Sequence, residues 1–188
     1  MLSRVEKFEA ALDQTECDAV LVTNLKNIYY LTGFSGTEAT VFISKNRRIF
    51  LTDARYTLIA KGVVQGFDIV ETRDAIGEIV KIIADDKLQK IGFDDEISYA
   101  YFKMLESVFS AYELVPMTAF IENLRMIKDE QEIATIRKAC QISDQAFLDV
   151  LDFIKPGETT ELAVMNFLDA RMRQLGASGA SFDFIIAS

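Results

Sequence analysis

The chain has 188 residues, of which 50% are hydrophobic and 26% charged, and its formal net charge is −9. This composition is typical of a soluble globular protein with one large domain, or one domain and part of another. The negative charge repels phosphate backbones, so nucleic-acid binding is not expected. No apolar run approaches the roughly 18 residues that span a membrane, and no secretory signal is visible, so we expect a cytoplasmic location and no membrane contact.

The sequence contains no histidine and only two cysteines, Cys17 and Cys140. Without imidazole, the chain offers no Ser-His or Cys-His nucleophile and no histidine ligand for a metal. Chemistry carried out by this chain alone would therefore depend on carboxylates, Lys, Arg or Tyr. The two cysteines have no metal-type spacing and are expected to be reduced, packed thiols.

Strand and helix patterns alternate over the first 125 residues, which predicts an α/β domain with a mixed sheet flanked by helices. Its antiparallel part is expected near residues 40–52, where two strands meet at a tight polar connection. The predicted elements in chain order are a helix at 3–15, a strand at 18–23, a segment at 27–37 that ends in a glycine-punctuated loop, two strands within 39–53, a helix within 54–64, a strand at 67–72, a helix at 75–86, a strand at 90–94, a helix at 98–109 and a strand at 112–118.

The character of the sequence changes after about residue 125. One helical pattern covers 128–154, with Asp129 and Glu132 spaced as a capping box, and a second covers 159–176. A final strand is expected at 181–188. Two helices and one strand make a poor independent core, so we divide the chain into a domain at 1–125, which should fold alone, and the incomplete beginning of another at 126–188.

An apolar stripe is predicted along one side of the first of these helices. Its members recur at helical spacing and would need a covering surface. They are Ile133, Ile136, Cys140, Phe147, Val150 or Leu151, and Ile154.

The short motifs of the chain are weak evidence for chemistry. Glycines at 33–37 lack the spacing and the Lys of a phosphate loop and are interpreted as a turn. In "TDARY" (52–56), either Asp53 caps a helix and pairs with Arg55, or Arg55 and Tyr56 face a substrate or a partner subunit. The acidic residues of 128–132 and 158–161 are interpreted as helix-start charges, and no carboxylate pair has the spacing of a metal site.

Longer stretches of the sequence resemble the creatinase, prolidase and aminopeptidase P family. They are "NIYYLTGFSGT", "FLTDARYTLIA", "ENLRMIKDEQEIATIRKACQISDQAF" and "IKPGETTELAVMNFLDARMRQLGASGASFDFIIAS", in the order of the family. The resemblance implies a creatinase-like N-terminal domain followed by a truncated start, two helices and a strand, of an α+β "pita-bread" catalytic domain.

The resemblance also implies a function. Family members hold two divalent metal ions, manganese or cobalt, and hydrolyse the bond before proline in proline-containing peptides. The family's metal ligands would all lie beyond Ser188, so no catalytic or metal-binding residue is expected in this chain, and the chain alone is expected to be inactive. A homodimer is expected.

Three residues match positions near the chemistry in relatives. Phe182 would line the substrate pocket or serve as a core aromatic, and Arg55 and Tyr56 would reach the active site of a neighbouring subunit. Two other interpretations remain: a non-catalytic protein-interaction module on the same fold, and a nucleotide-binding α/β domain, which the missing phosphate loop disfavours.

Overall fold

The computed structural model describes residues 3–187 and divides the chain into two compact units, Met1–Ile127 and Lys128–Ser188. Each unit is described by itself. Within the part described, no helix is long and apolar enough to cross a membrane. The strands of the first unit are β1 (Ala19–Val22), β2 (Thr40–Ser44), β3 (Arg48–Thr52), β4 (Asp68–Glu71), β5 (Lys90–Phe93) and β6 (Glu113–Pro116). Its helices are α1 (Arg4–Leu12), α2 (Leu25–Thr32), α3 (Thr57–Val63), α4 (Ala75–Asp86), α5 (Tyr99–Val108) and α6 (Phe120–Met126).

The six strands form one mixed sheet in the order β4-β3-β2-β1-β5-β6. Only β2 runs against its neighbours: it is antiparallel to β1 and β3, whereas the β1–β5, β3–β4 and β5–β6 pairs are parallel. The predicted mixed sheet, with its antiparallel pair near residues 40–52, is therefore confirmed. Five strands run in one direction, so their carboxyl ends meet at one edge of the sheet.

Helices cover both faces of the sheet, which explains why the central strands are almost continuously apolar. Along β1, Val20 faces one core and Leu21 the other, following the period-2 alternation of a strand. The first core takes side chains from α1, α2, α3 and α6, including Phe8 and Ile121. The second takes Ile79 from α4 and side chains from α5.

Two short helices were not predicted from the sequence. α2 begins after Asn24, whose side-chain oxygen accepts a hydrogen bond from the Lys26 amide, and ends at Gly33 in the left-handed conformation, with φ 75°. α6 follows β6 and has no side-chain cap at its start. Both have seven or eight residues, too few for a helical periodicity to stand out in the sequence.

The second unit contains two packed helices among its described residues, α7 (Glu130–Phe153) and α8 (Glu161–Gln174). α7 begins with the predicted capping box: Asp129 accepts from the Glu132 amide, and the Glu132 side chain accepts from the Asp129 amide. The helices are joined by an ion pair between Arg171 and Asp149, 2.5 Å from Nε to Oδ2.

The face of α7 that is buried differs from the predicted stripe. Ile142, Ala146 and Val150 are buried, and of the predicted stripe only Val150 belongs to that face. Ile136, Phe147, Leu151 and Ile154 are exposed. α7 carries apolar residues on more than one side, and the packing of α8 decides which of them is covered.

The final strand predicted at 181–188 is not present among residues 181–187, and Ser188 lies outside the described residues. A β-strand is defined by backbone hydrogen bonds to a neighbour, and the described part of the second unit offers no strand for this segment to pair with. Phe182 and Ile185 are accordingly 76% and 87% exposed.

We expect residues 1–127 to melt cooperatively as a separate protein, because both faces of the sheet are covered within the unit. A chain ending at Ala119 lacks α6 and so loses buried Ile121 and the hydrogen bonds that Glu122 and Arg125 make to the Asn27 side chain. Burying one such aliphatic side chain stabilises by about 1.5–3 kcal/mol, so the shorter chain should melt roughly 10 °C lower. Differential scanning calorimetry of both chains tests this; a broad transition for 1–127, or equal midpoints, would contradict it.

Candidate functional site

The carboxyl-end edge of the sheet carries two groups of polar side chains that could bind a ligand. The loops after β1, β3, β4, β5 and β6 all leave the sheet there, and β2 begins there. In open α/β sheets, ligands bind outside the carboxyl ends of the strands. This edge therefore contains the candidate site of the first unit.

Arg55 and Tyr56 lie in the turn between β3 and α3, where a rigid local network holds them. Asp53 Oδ1 accepts from the Arg55 amide at 2.9 Å, and Asp53 Oδ2 accepts from Arg55 Nε at 2.9 Å and Nη2 at 2.6 Å. These bonds hold the pKa of Asp53 below its usual range. The predicted Asp53–Arg55 pair is thus present, but Asp53 is not the cap of α3: that position is Tyr56, and it makes no side-chain cap bond.

Tyr56 is fixed at both ends of its side chain. Its ring packs edge-on against Phe34 at a centroid distance of 5.6 Å, and the Arg55 guanidinium lies 5.4 Å from its ring centre. Its hydroxyl is 2.7 Å from Thr37 Oγ1, and this hydrogen bond lowers the pKa of Tyr56. Arg55 and Tyr56 therefore form one preorganised surface at this edge.

A cleft of about 530 Å³ lies beside this turn, and sequence reasoning missed it. Glu38, before β2, Arg73, after β4, and Tyr101, on α5, line it together with the Asp53–Arg55 pair. These residues are far apart in sequence and share no motif. Only the convergence of strand ends brings them together.

A second polar group at the same edge centres on Asp94, directly after β5. Asp94 Oδ2 accepts from the amides of Thr23 and Asn24 at 2.7 and 2.8 Å, and Oδ1 accepts from Asn27 Nδ2 at 3.1 Å. The carboxylate is 8% exposed, and burial raises its pKa despite these bonds. Asp94 thus occupies the amides at the start of α2, where a bound anion would otherwise lie.

The Asp94 group extends to α6 through Asn27. Asn27 Nδ2 also donates to Glu122 Oε1 at 2.7 Å, and Asn27 Oδ1 accepts from Arg125 Nη1 at 2.9 Å. Every hydrogen-bonding atom of this buried amide side chain that is described has a partner, which is the arrangement of a structural network.

Phe182 lies in the second unit and lines an apolar cleft of about 740 Å³ between α7, α8 and the segment that follows α8. Phe147, Met172 and Ile185 also line this cleft. The side chain of Phe182 is mostly exposed within the second unit.

The side chains of residues 3–187 do not fit a metal centre: no group of three or more Cys, Asp or Glu side chains converges on a common point there. The neighbouring Asp94 and Glu122 carboxylates accept hydrogen bonds from amide donors.

Comparison with known proteins connects this fold to a family. Residues 4–127 match the family described as the creatinase/prolidase N-terminal domain. This chain belongs to the creatinase/prolidase family. Residues 134–188 match the metallopeptidase family M24, in the same chain and in the order that the sequence resemblance implied.

Curated relatives of this creatinase/prolidase chain are peptidases. It is similar to an uncharacterized peptidase of Bacillus subtilis (strain 168), with 37% identity over 98% of this chain and 53% of the relative. It is also similar to an Xaa-Pro dipeptidase of Pyrococcus horikoshii, with 26% identity over 100% of this chain and 52% of the relative. The chain thus spans about half the length of the curated relatives it matches.

Solved structures agree with the family assignment. An Xaa-Pro dipeptidase from Bacillus anthracis is 36% identical, with a TM-score of 0.88 over 96% of this chain and 51% of that one. An aminopeptidase P from Streptococcus thermophilus is 57% identical, with a TM-score of 0.63 over 65% of this chain and 95% of that one. The predicted fold, an N-terminal domain with a mixed sheet and the start of a catalytic domain, is confirmed.

In the creatinase/prolidase unit, Asp94→Asn is expected to change how stability depends on pH. The pKa of Asp94 is raised in the folded state, so folding favours its protonated form, and the stability it contributes is lost as pH rises through the folded pKa. The stability difference is the free energy of unfolding of the unchanged chain minus that of the variant. This difference should therefore fall as pH rises above the ordinary range of aspartate pKa values. Urea titrations at a series of pH values measure this difference.

Asp53→Asn is the matched control, because the pKa of Asp53 is lowered in the folded state and its contribution is present at high pH and lost as pH falls. The same difference for this variant should rise with pH. Slopes of the same sign for the two variants would contradict the assignment of Asp94.

Proposed function

We propose that this chain is the first part of a dinuclear-metal Xaa-Pro peptidase, of the aminopeptidase P or prolidase type, that hydrolyses the bond before proline. The observation that carries the proposal is the order of the two family matches, 4–127 and 134–188, together with 36% identity to an Xaa-Pro dipeptidase over nearly the whole chain. On this proposal residues 1 to about 125 are the N-terminal domain, and 126–188 begin the catalytic domain of a cytoplasmic enzyme.

The two metal ions, manganese or cobalt, would be held by residues of the M24 domain other than those in 134–188. Membership of the M24 family implies divalent metals, whereas the described side chains do not form a group that fits them. We therefore assign metal binding and hydrolysis to the remainder of an M24 domain. This chain would contribute substrate contacts and part of the fold.

Arg55, Tyr56 and Phe182 are proposed to contact substrate in the complete enzyme. Arg55 keeps Nη1 available beyond its two bonds to Asp53, and 68% of its side chain is exposed. A guanidinium of this kind binds carboxylates and carbonyl oxygens well, and Tyr56 keeps it in place. Phe182 offers an exposed ring on the wall of an apolar cleft, which suits a proline ring.

The alternative is a non-catalytic interaction module on the same fold. No observation on this chain favours it over the peptidase, and the names of the relatives favour the peptidase. A nucleotide-binding domain is disfavoured further, because Asp94 already occupies the amides of Thr23 and Asn24.

Activity measurements separate these proposals. We expect pure 1–188 to release no proline from Ala-Pro with manganese present, and a polypeptide that continues through a complete M24 domain to release it in a metal-dependent manner. In that longer polypeptide, Arg55→Gln should lower kcat/KM about tenfold, the loss of one charge-assisted hydrogen bond of about 1.5 kcal/mol.

Arg47→Gln is the matched control, since Arg47 also forms a two-bond pair with an aspartate, Asp86, but outside the carboxyl-end site. It should leave kcat/KM unchanged. Chelator-sensitive turnover by 1–188 would refute the location of the metal site, and an inactive longer polypeptide would refute the peptidase.

Beyond the proposed homodimer, 1–188 is expected to self-associate through residues 128–188, by apolar surface on the second unit. Phe147 and Leu151 are exposed on α7, and exposed apolar patches of this kind drive association. Replacing both by Ser should reduce the mass of 1–188 in light scattering, whereas Leu58→Ser, at an equally exposed apolar position on α3, should not. A monomeric unchanged chain, or an equal effect of the two changes, would contradict this surface.

A further inference from the structure

The cleft lined by Glu38, Arg73 and Tyr101, hereafter the Glu38 cleft, has unused hydrogen-bonding capacity. None of the three side chains has a hydrogen-bond or ion-pair partner among residues 3–187, although each lines the same cleft. We propose that the Glu38 cleft binds a small zwitterion, a free amino acid or dipeptide, with the ligand ammonium at Glu38, the ligand carboxylate at Arg73 and the ligand side chain against Tyr101.

The other charged groups of the cleft, Asp53, Arg55 and Asp74, each have a partner within the protein. The Arg55 guanidinium is paired with Asp53, and Asp74 accepts from the Gly77 amide as the cap of α4. Thr52 Oγ1 donates to the Glu38 carbonyl at 2.6 Å. Glu38 supplies one negative group, Arg73 one positive group and Tyr101 one hydroxyl, which together match the charge pattern of a zwitterion.

The backbone holds these three groups in place. The Thr52 bond fixes the Glu38 backbone to the end of β3. Arg73 lies between Thr72, whose amide donates to the Thr52 carbonyl at 2.8 Å, and the helix cap Asp74. Tyr101 stands in the first turn of α5, where its amide donates to Ser98 Oγ at 3.1 Å. A site on strand ends and a helix start is positioned more exactly than one on a free loop.

The electrostatics agree with this placement. Burial raises the pKa of Tyr101, and the Glu38 carboxylate raises it further, so the hydroxyl stays protonated and can donate to a ligand. Glu38 also adds to the raised pKa of Arg55, behind the main effect of Asp53. The Glu38 carboxylate thus affects the pKa of two residues of the cleft, Tyr101 and Arg55.

The size of the cleft suits such a ligand. Its volume of about 530 Å³ lies within the range of small-molecule sites. A second cleft of about 380 Å³ shares Glu38 and Tyr101 with it and leads past Ser98, which gives room for the side chain of a dipeptide. The site needs no metal and consists of residues of the first unit, so binding there can be measured without turnover.

Isothermal titration of 1–188 with Ala-Pro, N-acetyl-Ala-Pro and Ala-Pro amide tests the proposal. We expect saturable binding of Ala-Pro, and at least tenfold weaker binding of each blocked peptide, because each lacks one of the two charges. Free proline is a fourth ligand: binding as tight as that of Ala-Pro assigns the cleft to amino acids, and weaker binding assigns it to dipeptides. The readout is binding without turnover, so an inactive peptidase does not affect it.

Variants connect each charge of the ligand to one residue. Glu38→Gln should weaken Ala-Pro about tenfold but leave N-acetyl-Ala-Pro unchanged, and Arg73→Gln should weaken Ala-Pro but leave the amide unchanged. Tyr101→Phe should weaken all three ligands by less. Glu106→Gln and Arg47→Gln are matched controls outside the cleft, and thermal melting of every variant checks folding.

Two outcomes overturn the proposal. One is that Ala-Pro does not bind saturably, or that the blocked peptides bind as well as Ala-Pro. The other is that folded Glu38→Gln and Arg73→Gln bind all the ligands as the unchanged chain does.

Discussion

The common direction of five strands is the constraint on which the rest of the first unit depends. Because only β2 runs the other way, the loops that follow the parallel strands leave from one edge. Helices cover both faces of the sheet, so charged side chains gather at its edges, and the two clusters described here lie at the carboxyl-end edge. Both the Asp94 network and the Glu38 cleft lie there, and neither could form on a sheet whose strands alternated in direction.

These two clusters use the same edge in opposite ways. Around Asp94 the protein satisfies its own polar groups, and the carboxylate fixes the start of α2 while Asn27 connects it to α6. A buried amide with three side-chain partners resists rearrangement, because breaking one bond leaves a buried group unpaired. In the Glu38 cleft the charged groups are half-exposed or exposed and remain unpaired at little cost, since water solvates them until a ligand arrives.

The sequence alone predicted those features that depend on local pattern. Three features follow from neighbours in the chain. They are the alternation of strand and helix segments from β1 to β6, the connection at residues 45–47 and the capping box of Asp129. It did not predict α2 or α6, which are too short to show a period. It identified the apolar stripe of Ile136, Phe147, Leu151 and Ile154, which stays exposed in this chain, but it missed Ile142 and Ala146, which are buried with Val150 through packing with α8. Of the site residues, the "TDARY" motif indicated the Asp53–Arg55 pair, whereas the Glu38 cleft depends on contacts between distant segments that no spacing rule reveals.

The two units differ in which parts of the proposed function their own residues could carry out. The first has both faces of its sheet covered, satisfies its buried polar side chains and keeps a small set of unpaired charges in one cleft. The second exposes large apolar side chains on α7 and in the segment after α8, and several of its described carboxylates serve as caps and ion pairs. Hydrolysis by bound metal ions requires several ligands that converge on the metals. A binding cleft requires only side chains that a rigid edge of the sheet holds in place. Recognition of a small peptide can therefore be a property of the first unit even if hydrolysis requires more of an M24 domain than residues 134–188 provide.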